Sequence, residues 1–134
     1  MSVLYVHVLE GSEKINERYC IICGKPFSEV HHVIYRSKAS FLVNCELNKV
    51  NLCEVHHRGK QGVHTKNGHS LDLKLKSDFE EKLNLLFDRE HFTREDIKES
   101  LNISDRAVNS LCKLLKSYKG LFSRNDIINR CMGR

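Results

Sequence analysis

Cysteine and histidine side chains with the spacing of metal ligands lie in the middle of the chain. Cys20 and Cys23 are separated by two residues, and so are Cys53 and His56. Two such pairs can place four ligands tetrahedrally around one Zn²⁺ ion, a cation that thiolates bind well. This spacing predicts a closed, structural zinc site, for which Cys45 is the one alternative ligand.

A second group of residues suited to chemistry is formed by His31 and His32, then Asn48, then His57. Neighbouring side chains on a strand point to opposite faces, so His31 and His32 are expected to have different tasks. One imidazole can hold a metal ion while the other takes a proton from water. A metal ion close to a phosphate stabilises the charge that develops during hydrolysis. The pattern therefore favours hydrolysis assisted by a metal ion.

Together these motifs resemble the HNH (His-Me finger, ββα-metal) endonuclease family. The resemblance runs from about Cys20 to His64 and combines C-x2-C, EVHHVI, NKVNLC and C-x2-H-H. Four residues take on roles by this resemblance: a metal ligand at His31, the general base at His32, an amide that steadies the loop and orients the base at Asn48, and a second metal ligand at His57.

The function that this resemblance implies is an endonuclease that hydrolyses DNA and leaves a 5′-phosphate. His32 would activate water, while His31 and His57 would hold one divalent cation, Mg²⁺, Mn²⁺ or a similar metal. Two imidazole ligands also accommodate Ni²⁺, Co²⁺ or Zn²⁺, so the identity of this metal stays open.

Two other functions compete with the nuclease. The leading alternative is a non-catalytic, zinc-dependent DNA-binding or regulatory module, and a protein-interaction domain is the other. The register of Asn48 with His32 and His57 favours the nuclease, because zinc binding alone does not require that asparagine.

The sequence departs from the family in its second zinc pair, which is Cys-x2-His where four cysteines are commoner. The roles of His56 and His57 are therefore open to exchange. Neighbours on a helix point about 100° apart, so the two should serve different sites. His56 is assigned to zinc because it preserves the two-residue spacing. His64 could contact phosphate or the catalytic metal, although a surface histidine is the simpler interpretation.

The hydrophobic pattern predicts an α+β fold. Strands are expected at 2–9, 30–36 and 49–52, a Cys-bearing knuckle at 20–27 and a glycine-rich loop at 59–70. These segments correspond to a small zinc-stapled ββα-metal (HNH) core with an additional N-terminal strand.

The segment 71–87 combines two patterns. Leu71, Leu73 and Leu75 alternate as in a strand. From Ser77 the pattern is that of a helix, and Ser77 with Glu80 has the spacing of a capping box. One face of this helix would carry Phe79, Leu83, Leu86 and Phe87.

The C-terminal segment is predicted to be a separate helical unit. Thr93 with Asp96 has capping-box spacing, and the same spacing recurs at Ser123 with Asp126. Between them, 96–115 has the pattern of two helices joined by a tight turn, with Ser104 capping the second. The apolar positions expected to form their shared core are Ile97, Leu101, Ile103, Val108 and Leu111. Cys112 lies on an apolar helical face, which predicts a core thiol.

Two domains follow from these elements. Residues 1–90 would form the nuclease domain, whose core is 20–64. Residues 91–134 would form a helix-turn-helix-like DNA-binding tail. The alternative for the tail is an αα-hairpin that packs on the nuclease or dimerises. No dimer signature is visible, so the oligomeric state stays open.

The charge of the chain, +5 at pH 7, is concentrated in two zones. Residues 25–66 carry seven basic against three acidic side chains, and 91–134 carry nine against five. Two basic zones suit a polyanion such as DNA, and the alternative is a solvated surface with a slight basic excess. The predicted phosphate contacts of the core are Arg36, Lys38, Arg58 and Lys60. In the tail, the predicted major-groove contacts are Arg106, Asn109, Ser110 and Lys113, and the backbone contacts Lys116, Lys119 and Arg124.

The N-terminal residues do not have the pattern of a signal peptide, and no apolar run approaches transmembrane length. A cytoplasmic location without membrane contact is therefore expected, where cysteines stay reduced and bind metals. The resemblance to HNH endonucleases, combined with a helical DNA reader in so short a chain, implies a phage or mobile-element protein.

Overall fold

The computed structural model describes residues 18–134, so the strand predicted at 2–9 lies outside the described residues. These residues form an α+β fold with five α-helices and two small sheets. The strands are β1 (Glu29–His32), β2 (Lys49–Leu52), β3 (His91–Thr93), β4 (Ser117–Tyr118) and β5 (Leu121–Ser123). The helices are α1 (Glu54–His57), α2 (His69–Leu86), α3 (Arg94–Leu101), α4 (Asp105–Cys112) and α5 (Arg124–Cys131).

The described chain divides into two compact units. The first unit contains residues 18–31 and 49–74, and the second contains residues 32–48 and 75–134. The division into domains at residue 90 stays a prediction. Within residues 18–134, no helix has both the length and the apolar character needed to cross a membrane.

The first unit contains the predicted knuckle, strand β2 and all of strand β1 except His32, and β1 pairs with β2. The knuckle closes through two backbone hydrogen bonds, from Cys20 N to Lys25 O at 2.9 Å and from Gly24 N to Cys20 O at 2.8 Å. Gly24 has a φ of 76°, a left-handed conformation that glycine adopts without steric cost. The knuckle is tied to β2 by Ile21 N, which donates to Asn51 O at 2.8 Å.

The strand predicted at 30–36 is shorter in the structure, because β1 ends at His32. A side chain explains this difference within the second unit. Asn48 Oδ1 accepts a hydrogen bond from Ile34 N at 2.8 Å, and Asn48 Nδ2 donates to Ile34 O at 3.1 Å and Leu42 O at 3.4 Å. Asn48 thus satisfies backbone groups that a strand would offer to a neighbouring strand.

Helix α2 begins earlier than predicted. It starts at His69, so the alternating leucines at 71, 73 and 75 belong to a helix and not to a strand. Ser77 therefore lies inside the helix, and the capping box predicted for it is wrong. The buried side chains in the second unit follow a four-residue spacing, at Leu75, Phe79, Leu83 and Phe87, whereas Leu73 is 53% exposed. The physical reason is that a four-residue period places side chains on one helical face.

The helix caps predicted in the C-terminal segment are confirmed. Thr93 Oγ1 accepts from Asp96 N at 3.1 Å, and Asp96 Oδ2 accepts in return from Thr93 N at 3.0 Å. Ser104 caps α4 by accepting from Ala107 N at 3.1 Å. Ser123 caps α5 in the same way. The predicted core is buried as well, at Ile97, Leu101, Ile103, Val108 and Leu111.

The second sheet has the strand order β3-β5-β4 and is antiparallel. Phe92 of β3 faces Phe122 of β5 in this pairing. Both phenylalanines belong to similar segments, HFTREDI and LFSRNDI, each of which forms a strand followed by a capped helix. The β4–β5 hairpin turns at Lys119 and Gly120, whose φ angles of 52° and 77° are both left-handed.

Candidate metal centres

Three thiols and one imidazole converge in the first unit. Cys23 Sγ lies 3.7 Å from Cys53 Sγ, and His56 Nδ1 lies 3.6 Å from Cys20 Sγ and 3.2 Å from Cys53 Sγ. Sulfurs bound tetrahedrally to zinc at about 2.3 Å stand about 3.8 Å apart, so these separations suit one ion. Cys20, Cys23, Cys53 and His56 therefore form a Cys3His cluster that could hold a metal such as zinc.

Local structure positions these four ligands. The knuckle supplies two of them, and helix α1 supplies Cys53 as its N-cap and His56 one turn later. Burial raises the pKa of Cys20, but hydrogen bonds from the backbone amides of Cys53, Cys23 and Ile22 outweigh it and lower that pKa to about 6. A lowered pKa favours the thiolate, which is the form that binds metal.

The remaining cysteines of the described chain lie outside this cluster. Cys45, the alternative ligand, is buried in the second unit, where its thiol donates to Leu101 O at 3.4 Å. Cys131 is fully buried, and that burial raises its pKa. Cys112 was expected in the core, yet it is only half-buried.

Three imidazoles form a second cluster in the first unit, at His31, His57 and His64. One nitrogen from each ring lies within 4.8 Å of the others. The Nε2 atoms of His57 and His64 are 2.9 Å apart. Two nitrogens bound to one metal at about 2.1 Å stand about 3.0 Å apart at a right angle. The separation suits a shared cation, and it equally suits a hydrogen bond between the rings when no ion is bound.

Glu29 fixes the orientation of the His57 ring. His57 Nδ1 lies 2.9 Å from Glu29 Oε1, and Arg58 forms an ion pair with Glu29 Oε2 at 3.0 Å. The hydrogen bond with His57, followed by the charge of Arg58, lowers the pKa of Glu29. An ionised carboxylate only accepts hydrogen bonds, so Nδ1 is the donor and Nε2 of a neutral ring carries the lone pair. That lone pair faces the other imidazoles.

His64 reaches this cluster because the chain turns back sharply after α1. Val63 N donates to His56 O at 3.0 Å, which ties the turn to the helix. Gly62 permits the close approach, since a Cβ atom there would lie 2.5 Å from His57 O. The turn thus depends on a glycine in contact with the helix backbone.

The structure assigns His64 a position that the simpler interpretation of the sequence missed. His64 is an exposed residue, as predicted, but its ring belongs to the imidazole cluster. Partial desolvation, and then the neighbouring His57, lower the pKa of His64 and favour the neutral form that binds metals. The sequence signal was the pair of glycines at 59 and 62, which allow a short return after His57.

The role of Glu29 can be tested through metal affinity. We expect Glu29→Gln to weaken binding of Ni²⁺ or Co²⁺ by roughly 10- to 100-fold, because the partners of ligating histidines orient them. Titration of protein whose Cys3His cluster is already loaded with zinc, followed by the absorption of Co²⁺, would measure this affinity. Glu54→Gln is the matched control, since Glu54 is an exposed carboxylate in the first turn of α1. Equal affinity in both variants would contradict the role of Glu29.

His32 belongs to the second unit, where a backbone carbonyl holds its ring. His32 Nε2 lies 2.8 Å from Val43 O. A carbonyl oxygen only accepts, so Nε2 donates and the lone pair of a neutral ring is on Nδ1. Asn48 donates to the adjacent Leu42 O, so the buried asparagine steadies the loop segment that holds the His32 ring.

The predicted DNA contacts differ in their surroundings. Many are exposed, among them Arg36, Lys38, Lys60, Arg106, Ser110, Lys113, Lys116 and Lys119. Arg58 is exposed but paired with Glu29. Asn109 Oδ1 accepts from Arg94 Nε at 2.8 Å. Arg124 donates to Phe87 O and Asn84 O, so its guanidinium holds the end of α2 instead of facing solvent freely.

Comparison of the chain with protein-family models, with curated protein sequences and with solved structures found no match. The resemblance to HNH endonucleases therefore rests on the residues and their spacing. Cys20, Cys23, Cys53 and His56 lie together, as do His31, His57 and His64, whereas His7 lies outside the described residues and His69 and His91 are exposed.

Proposed function

We propose that this protein is a metal-dependent endonuclease of the HNH (His-Me finger) type that hydrolyses phosphodiester bonds in DNA. The observation that carries this proposal is the imidazole cluster of His31, His57 and His64, separate from the Cys3His cluster. A second ligand set, distinct from the Cys3His cluster, offers a place for a metal ion with a task other than holding the fold together. The cluster also extends the predicted ligands, because it adds His64 to His31 and His57.

The chemistry of the donors supports a divalent cation at this cluster. Neutral imidazoles suit Zn²⁺, Ni²⁺ and other first-row metals, and Mg²⁺ or Mn²⁺ is what the family resemblance implies. When bound, the cation would supply positive charge that stabilises the phosphate as negative charge develops on it. Glu29 would keep the His57 ring oriented for this task.

His32 is proposed as the general base. It follows His31 directly in the chain, and its Nδ1 lone pair is available because Nε2 donates to Val43 O. Nδ1 would take a proton from the water that attacks phosphorus. The bond between phosphorus and O3′ would break, leaving a 5′-phosphate, and O3′ would take up a proton from solvent water to become a 3′-hydroxyl. Asn48 would act as a positioning residue through the loop that carries Val43.

The Cys3His cluster is proposed to hold structural zinc. It joins the knuckle to helix α1, whose last residue is His57. Zinc would therefore hold in place the helix that carries one of the catalytic ligands. The alternative of a non-catalytic zinc-dependent DNA-binding module would also use this site, with the histidines of the imidazole cluster in a structural role.

Cleavage of supercoiled plasmid DNA tests the proposal. We expect the wild-type chain to nick or linearise the plasmid with Mg²⁺, Mn²⁺ or Ni²⁺, and His57→Ala to lose at least about 100-fold in rate, the scale of a lost charge-stabilising group. His69→Ala is the matched control, because His69 is an exposed histidine of the same unit. DNA binding without cutting by the wild type under every metal would favour the regulatory module.

A further inference from the structure

The second unit is strongly polarised in charge along the chain. Residues 75–105 carry nine acidic and five basic side chains. Residues 106–134 carry seven basic side chains and a single acidic one, Asp126. The hairpin and its flanking helices are therefore a concentrated source of positive charge, which attracts polyanions through long-range electrostatics.

Four of these cations are available to a ligand. Within residues 18–134, no carboxylate forms an ion pair with Arg106, Lys113, Lys116 or Lys119, and all four are exposed. The turn at Lys119 and Gly120 holds Lys119 at the tip of the β4–β5 hairpin. We name Lys113, Lys116 and Lys119 the lysine segment.

An open cleft of about 420 Å³ lies beside the lysine segment. Its lining includes Lys116, Arg130 and Arg134, with Asp126 as the one acidic member. Arg134 is engaged by Glu80 at 2.8 Å, whereas Arg130 makes a single long contact with Leu114 O at 3.4 Å. Lys116 and Arg130 can therefore turn toward an anion in this cleft.

Asn109, one of the predicted base contacts on α4, is less available. Arg94 donates to Asn109 Oδ1 at 2.8 Å and to Asp105 Oδ1 at 3.1 Å, and Lys98 forms an ion pair with the same aspartate. An asparagine recognises adenine by offering both its oxygen and its amide nitrogen. Because the oxygen of Asn109 is already engaged, this asparagine is poorly prepared to read adenine.

We propose that the lysine segment and the adjoining cleft bind the phosphate backbone of duplex DNA, with little discrimination between base sequences. Cations that contact phosphates give affinity and position, whereas sequence is read at base edges. The inference rests on the proposed function in naming DNA as the polyanion. It changes the prediction for the tail, from a reader of sequence to an electrostatic anchor that keeps the nuclease on its substrate.

Binding is measured on the zinc-containing full chain carrying His32→Ala, so that cleavage plays no part. Fluorescence anisotropy would measure the affinity for a 25-base-pair duplex of mixed sequence at salt concentrations between 50 and 200 mM. Over this range, phosphate contacts make the affinity strongly dependent on salt. The salt slope is the steepness with which the logarithm of the binding constant falls with the logarithm of the salt concentration. We expect the triple variant Lys113→Gln, Lys116→Gln and Lys119→Gln to lower this slope by up to about 2.7 and to weaken binding roughly 10- to 100-fold. All three positions are exposed, so thermal unfolding should be unchanged.

Matched single variants sharpen this test. Lys116→Gln should lower the salt slope by about 0.9, the value for one phosphate contact, whereas Lys82→Gln should not change it. Lys82 is an exposed lysine of α2 in the same unit, outside the lysine segment. An equal effect of both variants, or an unchanged slope in the triple variant, would overturn the proposal.

Sequence discrimination and the kind of polyanion are tested with the same protein. Duplexes of only A·T or only G·C pairs should compete within about tenfold of each other, the range expected for backbone binding. A larger preference that disappears in Asn109→Ala would overturn the inference. The inference would also be overturned if the triple variant lost binding to phosphatidylserine vesicles while its affinity for DNA stayed unchanged. Salt-dependent DNA binding without any wild-type cutting would refute the proposed nuclease and leave this inference intact.

Discussion

Replacement of His32 by alanine is expected to lower the rate of DNA cleavage by about 10²- to 10⁴-fold, the contribution of a positioned general base. The substitution removes the Nδ1 lone pair that would take a proton from water. It leaves both ligand clusters intact, because His32 belongs to neither. The measurement is the single-turnover rate on plasmid DNA, together with zinc content and thermal unfolding of the same preparation.

His91→Ala is the control for this result. His91 is an exposed histidine of β3 in the same unit as His32, and it belongs to neither ligand cluster. Its loss should leave the rate unchanged. Undiminished cutting by His32→Ala, with zinc content and unfolding temperature as in the wild type, would remove His32 from the mechanism.

Replacement of Cys23 by serine should have the largest effect on stability. Cys23 is an exposed side chain, so the substitution removes a ligand without opening a cavity in the core. Structural zinc contributes about 10–16 kcal/mol of apparent binding free energy in small zinc domains, more than the stability of a typical small domain. We therefore expect the variant to lose its zinc and the first unit to unfold.

Zinc content by mass spectrometry and thermal unfolding measure this outcome. Cys112→Ser is the matched control, because Cys112 is a half-buried thiol outside the ligand cluster. It should retain one zinc per chain and an unfolding temperature near that of the wild type. A Cys23→Ser chain that kept both properties would show that the cluster is not a structural zinc site.

Interactions between residues close in the chain were predictable. The capping box of Thr93 and Asp96 and the cap at Ser104 each depend on hydrogen bonds across three residues. The knuckle closes between Cys20 and Lys25. Such contacts form wherever the local sequence allows them, so spacing alone identifies them.

Elements whose limits depend on distant groups were predicted less well. β1 ends at His32 because Asn48, far along the chain, takes up the backbone groups of Ile34. Helix α2 extends back to His69 although its leucines alternate. A local pattern cannot distinguish these outcomes, because tertiary contacts outweigh the small propensity differences between strand and helix.

The residues of the candidate site also include some that the sequence predicted and some that it did not. The spacing of cysteines and histidines identified the ligands of the Cys3His cluster, and the geometry groups His56 with the thiols and His57 with the imidazoles. The sequence did not reveal Glu29 as the partner of His57, nor His64 as a member of the imidazole cluster. Each depends on a close approach between segments, at 2.9 Å in both cases.

The sequence by itself determined which residue types are available for metal binding and proton transfer, and where the helices of the tail are capped. Only the tertiary structure decided which histidines share a centre and which cations of the tail are free. The physical reason is that ligand chemistry belongs to single side chains and their near neighbours. The grouping of ligands, by contrast, depends on backbone turns such as the one at Gly62, which brings His64 to His57.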